Sequence, residues 1–129
     1  PELGGVAVVN FRYPLGVTAE GLEIKTEVVA SGYGFTVAHG KAQVPHYVSP
    51  EDKLVSTLLD VYHRQTGLPA HEQSIGGGTY GRIFERGVAY GALFPDSIDT
   101  MHQANEFFAL EDLFRSAAIY AEAIYELIK

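Results

Sequence analysis

The 129-residue chain contains no cysteine, and this absence narrows its chemistry at once. Disulfide bonds, thiolate zinc sites and cysteine nucleophiles are excluded together, and a cysteine-free chain fits a cytoplasmic origin. No apolar run approaches the roughly 20 residues that a membrane-spanning helix requires. The formal net charge of −7 argues against a nucleic acid or an anionic membrane as the main partner. We therefore expect neither kind of partner.

The composition is that of a globular protein. Hydrophobic residues make up 47% of the chain and charged residues 19%, which is not typical of a disordered segment. The sequence starts at Pro1 and runs directly into a strand-like pattern, without a methionine or a targeting segment. This start suggests either a processed terminus or the tail end of a longer protein.

Local sequence patterns predict three helices and four strands. The helices have capping or stop signals and are predicted over residues 18–31, 49–66 and 110–128. The strands are predicted from period-two or continuous apolar patterns over residues 5–13, 35–44, 70–75 and 88–94. The predicted fold class is therefore α+β, with a strand–helix–strand unit followed by a helix, two strands and a long helix.

Two of the predicted helices carry apolar residues at helical spacing. In the second helix, which Ser49 is expected to cap, the stripe consists of Leu54, Val55, Leu58, Leu59 and Tyr62. In the last helix one side carries Leu113, Phe114, Ala117, Ala121, Ile124 and Ile128. Stripes of this kind are typical of helices that pack against other elements.

The polar end of the first predicted strand carries two side chains that suit an anion. Period two places Asn10 and Arg12 on the same face of the strand. A guanidinium matches a carboxylate in bidentate geometry, so the pair suggests an anion clamp. The alternative is an exposed strand end with a solvated arginine.

Three consecutive glycines, Gly76, Gly77 and Gly78, follow the third predicted strand. Such runs are typical of a backbone with positive φ or of a close approach by another group. Together with Gly81 they match the G-x-G-x-x-G pattern of dinucleotide sites. Only about one helical turn separates them from the next predicted strand, however, and that pattern needs a longer helix there. A small-ligand-binding glycine loop stays open as an alternative.

His102 lies in the segment Met101-His-Gln-Ala-Asn-Glu106, which follows a polar loop. Neutral imidazole is the commonest metal ligand among protein side chains. Zinc sites need three or four ligands, and no His-Glu-x-x-His pair supplies the others. From these residues alone, His102 is either a lone histidine or one member of a metal site.

Several separate motifs, in the right order, closely resemble the C-terminal end of PepV-type dipeptidases, which are aminoacylase/carnosinase-like zinc metallopeptidases. The motifs are Asn10-Phe-Arg-Tyr-Pro-Leu-Gly, Pro45-His-Tyr-Val, residues 75–94, the His102 segment and residues 117–127. The resemblance implies an enzyme with two zinc ions that hydrolyses dipeptides with a free N-terminus. It places the general-base glutamate and the other metal ligands upstream of Pro1.

The resemblance also implies a role for individual residues. His102 corresponds to a metal ligand, Arg12 with Asn10 to the contacts of the substrate carboxylate, and Gly76 and Gly77 to backbone that lines the substrate. Residues 1–47 correspond to the end of a lid domain and residues 48–129 to the end of the catalytic domain. We expect this chain alone to be inactive, to bind zinc weakly or not at all, and to associate with itself or with the missing N-terminal part.

Overall fold

The computed structural model describes residues 4–91 and 93–129. They form three α-helices, which we call α1 (Ala19–Gly32), α2 (Lys53–Thr66) and α3 (Leu110–Ile128), and a 3₁₀ turn, Tyr80–Ile83. The first and last predicted helices are confirmed, and the second begins later than predicted. Two compact units result, one ending at Tyr47 and the other starting at Val48. No helix in the described ranges combines the length and the apolarity needed to cross a membrane.

The predicted α+β class is wrong, because the described residues contain helices and no β-strand. Neither the strand–helix–strand unit expected before residue 48 nor the strands expected after it are formed. Residue 92, in the last of those predicted strands, lies outside the described residues, as do residues 1–3. A strand needs a neighbouring segment that supplies hydrogen-bond partners. No described segment pairs with residues 5–13, and the Val6 and Val8 side chains are 95% and 93% exposed.

The first unit is built around α1. The side chain of Thr18 caps this helix by accepting a hydrogen bond from the Gly21 N–H (3.1 Å). None of the described residues of the unit is buried, and Val28 of α1 is 68% exposed. Its contacts are polar and local: the Tyr13 hydroxyl donates to the carbonyl of Gln43 (2.7 Å). The unit therefore has no apolar core of its own among the described residues.

In the second unit, the N-cap of α2 is Asp52 and not the predicted Ser49. The Asp52 carboxylate accepts the Leu54 N–H (2.8 Å) and so satisfies one of the free donors at the start of α2. The guanidinium of Arg86 donates to both oxygens of the same carboxylate, at 2.9 and 2.8 Å. Ser49 belongs to the preceding turn, where its hydroxyl accepts from the Glu51 N–H. One aspartate thus caps α2 and ties it to the loop that follows the 3₁₀ turn.

The core of the second unit lies between α2 and α3. Its buried apolar residues are Leu58, Val61, Phe94, Ile119 and Ala123. Two tyrosines add hydrogen bonds beside it: the Tyr90 hydroxyl donates to the Leu58 carbonyl (2.8 Å), and the Tyr120 hydroxyl donates to the Tyr90 carbonyl (2.9 Å). Burial raises the pKa of Tyr90 to about 12. The segment around Tyr90 and Phe94 is therefore held against both helices.

The buried side of α3 is not the side that carries most of its apolar residues. The buried residues of the helix are Asp112, Ser116, Ile119 and Ala123. All six residues of the apolar side noted in the sequence, from Leu113 to Ile128, are exposed. Helix α3 thus has a packed side and a second apolar side that no described residue covers.

Two glycines after the 3₁₀ turn allow backbone segments to approach each other closely. A Cβ atom at Gly81 would lie 2.9 Å from the carbonyl carbon of Val88, and one at Gly87 would overlap the carbonyl oxygen of Gly81. The glycines with positive φ lie elsewhere, at Gly16, Gly34 and Gly67. Close approach, and not positive φ, therefore explains why glycine occupies these two positions.

Asp52 gives the second unit a defined dependence on pH. The hydrogen bond from Arg86, followed by that from the Leu54 N–H, holds the pKa of Asp52 below its ordinary value of 3.8. Because the folded-state pKa is the lower one, the charged carboxylate stabilises the fold above the ordinary value, and this stabilisation is lost as the pH falls through the folded pKa. The variant Asp52→Asn keeps a capping side chain but cannot change its charge. We expect its urea midpoint to fall less than that of the natural chain as the pH drops below about 4. Identical pH profiles for the two proteins would show that the pair with Arg86 is not formed in solution.

The glycine contacts predict an unequal response to the same substitution. Gly81→Ala and Gly87→Ala should each lower the free energy of unfolding by about 1–3 kcal/mol, since the added methyl group overlaps backbone atoms that cannot move independently. Gly91→Ala is the matched control, because a Cβ there meets no atom within 4 Å. Urea unfolding followed by circular dichroism measures all three variants. Equal stability of all three would refute the close approach.

Candidate functional site

The loop that carries His102 is closed by its own hydrogen bonds. The Thr100 hydroxyl accepts from the Phe107 N–H and donates to the Phe107 carbonyl, both at 3.1 Å. The Asp99 carboxylate accepts from the Met101 N–H (3.0 Å). These contacts fix the two ends of the loop and leave His102 at its exposed tip.

His102 itself has an unusual backbone conformation. Its φ is +61°, the same value as that of Asn105, and these are the only two non-glycine residues with positive φ in the described ranges. The His102 N–H donates to the Glu106 carboxylate (3.3 Å). Histidine and asparagine are among the side chains that occur most often in this conformation, and strained backbone is frequent at functional sites. The two positions mark this loop as the strongest site candidate in the second unit.

The described residues alone do not fit a zinc site. They contain no group of three or more His, Cys, Asp or Glu side chains that could hold a metal ion together. Two further histidines make local contacts: the His39 ring pairs with Glu27 (2.7 Å), and His63 bonds the Leu68 carbonyl (2.7 Å). A catalytic zinc ion needs about three protein ligands, so no catalytic step through zinc can be derived from this chain by itself.

Asn10 and Arg12 are both exposed in the first unit. The period-two pattern that put them on one face presupposed a strand, and no strand is present at residues 5–13. The adjacent Tyr13 is anchored through its hydroxyl to the carbonyl of Gln43. A shared role of the two side chains in binding an anion stays a prediction.

The glycine run differs from a dinucleotide site. The 3₁₀ turn after it has four residues, whereas that pattern opens a full helix. Gly78 lies beside the Arg82 guanidinium, which a Cβ would overlap. Gly76, in contrast, has open space where its Cβ would be, and its φ is not positive. No packing constraint within the described residues therefore explains why Gly76 is a glycine.

A polar cluster at the start of α3 was missed in the sequence. Asp112 is only 8% exposed, and it accepts hydrogen bonds from the Ser97 hydroxyl (2.7 Å) and from Arg115 (3.0 Å). Arg115 also bonds Asp96 (3.2 Å), and its guanidinium lies 3.9 Å from the centre of the Phe94 ring. This cluster joins the turn that precedes the His102 loop to α3.

The local sequence accounts for an aspartate at position 112 but does not identify its hydrogen-bond partner. Asp112 stands in the first turn of α3, where an acidic residue suits the helix dipole without any further partner. Its partner Ser97 lies 15 residues earlier, a spacing that matches no helical or strand period. An aspartate at that position becomes informative only when the burial of its carboxylate is known.

Comparison with known proteins places these features in a family. The model of the Peptidase family M20/M25/M40 matches residues 5–126. The "Beta-Ala-Xaa dipeptidase" of Lactobacillus delbrueckii subsp. lactis is 52% identical over 120 residues, which are 93% of this chain and 25% of that protein.

Staphylococcal relatives give the same result. A "Putative dipeptidase" of Staphylococcus saprophyticus is 41% identical over 124 residues, 96% of this chain and 26% of the relative. One of Staphylococcus aureus is 44% identical over 126 residues, 98% of this chain and 27% of the relative. The chain thus spans about a quarter of the length of these curated relatives. Since the family model covers nearly the whole sequence, the chain belongs to the Peptidase family M20/M25/M40.

Proposed function

We propose that this chain is the C-terminal part of a zinc-dependent dipeptidase that hydrolyses dipeptides with a free N-terminus. The observation that carries the proposal is the family match over residues 5–126 together with dipeptidase-named relatives up to 52% identical. In the proposed enzyme, residues 1–47 close a lid domain and residues 48–129 complete the catalytic domain. The general base and most metal ligands belong to the rest of the enzyme.

His102 is the residue of this chain that we assign to the metal. Its imidazole stands at the tip of a loop tied by Thr100 and Phe107, so the ring is accessible while its backbone is held. In enzymes with two zinc ions, the metal activates water and polarises the substrate carbonyl. One ligand cannot hold such an ion alone, and two zinc ions therefore require ligands from the remaining part of the enzyme.

Residues of each unit, considered separately, are assigned to substrate contacts. Arg12, together with Asn10 two residues earlier, would bind the C-terminal carboxylate of the dipeptide, because a guanidinium donates two parallel hydrogen bonds to a carboxylate. Gly76 and Gly77 would let the substrate main chain approach without a Cβ atom in the way. The open space beside Gly76 supports this assignment.

The role of Arg12 can be tested in a chimera in which this chain replaces the 120 matched residues of the Lactobacillus Beta-Ala-Xaa dipeptidase. We expect Arg12→Ala to lower kcat/KM for β-Ala-Xaa dipeptides by about 100-fold, since a charge-assisted contact to the substrate is lost. Lys25→Ala, which removes an exposed cation of the same unit, is the control and should change kcat/KM less than about twofold. If Arg12→Ala behaves like the control, Arg12 is not part of the substrate site.

The role of His102 is tested by metal content. In the same chimera, His102→Ala should reduce the zinc retained after dialysis, because one ligand of a metal site is removed. His71→Ala removes another exposed histidine and should leave the zinc content unchanged. Elemental analysis gives the zinc per protein, and circular dichroism verifies the fold. Full zinc retention in His102→Ala would make this histidine structural.

A further inference from the structure

Helix α3 has an apolar strip opposite its packed side. The strip, which we call the outer face of α3, consists of Leu110, Phe114, Ala117, Ala121, Tyr125 and Ile128. Their spacing of three and four residues puts them on one side of the helix. All six are exposed, with Phe114 at 72% and Ile128 at 76%. At about 1.5 Å per residue the strip is roughly 27 Å long, so it extends over the whole helix.

No charged residue interrupts this outer face. At 100° per residue, the charged side chains of α3 fall on its buried side or on one flank. On that flank Glu122 and Glu126 face α2, where Arg64 lies 3.0 and 3.9 Å from their carboxylates. Helix α2 is different, since the side opposite its buried residues carries the exposed polar residues Ser56, Asp60 and His63. Of the two helices described in the second unit, α3 is thus the one that is apolar on two sides.

A helix with two apolar sides is typical of a position between two packed layers. Helix α2 and the Phe94 segment form one layer against α3, and the outer face has none among the described residues. The curated relatives are about four times as long as this chain, so about three quarters of their length has no counterpart here. A second copy of the chain is a poorer occupant, because association would bring together two bodies that each carry a net charge of −7.

We propose that the outer face of α3 is the docking surface for the remaining part of the M20 peptidase polypeptide, which packs on it as a further layer. The small side chains of Ala117 and Ala121 at the centre of the strip allow a close approach, and the larger side chains at its ends supply the apolar area. The proposal depends on the family match and not on dipeptidase activity. It is therefore tested without substrate or metal.

The absence of cysteine makes a thiol-labelling test direct. In the isolated 129-residue chain, the thiol of the Ala121→Cys variant should react with a maleimide about as fast as that of Ser56→Cys, the control on the polar side of α2. In the chimera, labelling of Ala121→Cys should be at least about tenfold slower, as expected for a site that opens only rarely. Labelling of Ser56→Cys should stay within about twofold. Mass spectrometry of the labelled peptide identifies the site.

Two results would overturn the proposal. One is equal labelling of Ala121→Cys in the chimera and in the isolated chain, which would leave the outer face exposed. The other is protection in the isolated chain that grows with protein concentration, which would assign the face to a second copy. Ala117→Cys, on the same strip, repeats the measurement at a second position, and circular dichroism verifies that each variant is folded.

Discussion

The packing of α2 against α3 is the interaction on which the rest of the second unit depends. Val61 is fully buried there, and Leu58, Ile119 and Ala123 surround the same interior. Burying a side chain of this kind contributes roughly 1.5–3 kcal/mol relative to leaving it exposed. Among the described residues, the cluster between α2 and α3 has five buried apolar members, Val55 is the sixth buried apolar residue, and the first unit adds none. A chain of this length usually buries a larger fraction of its surface, which agrees with a family member whose relatives are much longer.

Hydrogen bonds lead from this core to the turn that precedes the His102 loop. Phe94 belongs to the core, and its N–H donates to the Ser97 hydroxyl (3.1 Å), which in turn donates to Asp112. Next along the chain, Thr100 closes the loop onto Phe107 just before α3 begins. The loop is thus closed by its own hydrogen bonds, and along the chain it lies between the Ser97 turn and α3, although residues 101–107 are exposed. This arrangement suits a side chain that must be held in place and still reach an external ligand.

The sequence was sufficient to predict those elements that depend on residues close to one another along the chain. Thr18 predicted the start of α1, and the apolar period predicted α3 from Leu110 to Ile128. The strand predictions failed because strand formation depends on a partner that is distant in sequence, and no described segment pairs with residues 5–13. The start of α2 was placed at Ser49 because the pairing of Asp52 with Arg86, 34 residues away, cannot be read from local spacing.

Sequence patterns also could not predict which side of α3 packs or which polar residues are buried. Periodicity identified an apolar side of α3, but it could not tell which of two such sides packs within this chain. The buried residue Asp112 looked like an ordinary first-turn acid until its bond with Ser97 was known. The family, in contrast, was predicted correctly from motifs. Short segments such as the one around His102 can identify a family even where local patterns predict the wrong fold class. The roles of Asn10, Arg12, Gly76, Gly77 and His102 stay predictions.

The most direct measurement is dipeptide hydrolysis by the isolated 129-residue chain in the presence of zinc, beside the chimera with the Lactobacillus dipeptidase. If this chain supplies one metal ligand and part of the substrate contacts, the isolated chain should release no amino acids above the zinc-only background. The chimera should hydrolyse β-Ala-Xaa dipeptides under the same conditions. Light scattering gives the molecular mass of the species that is assayed. Robust turnover by a pure monomer of the isolated chain would contradict the account, because a complete catalytic site would then lie within these 129 residues.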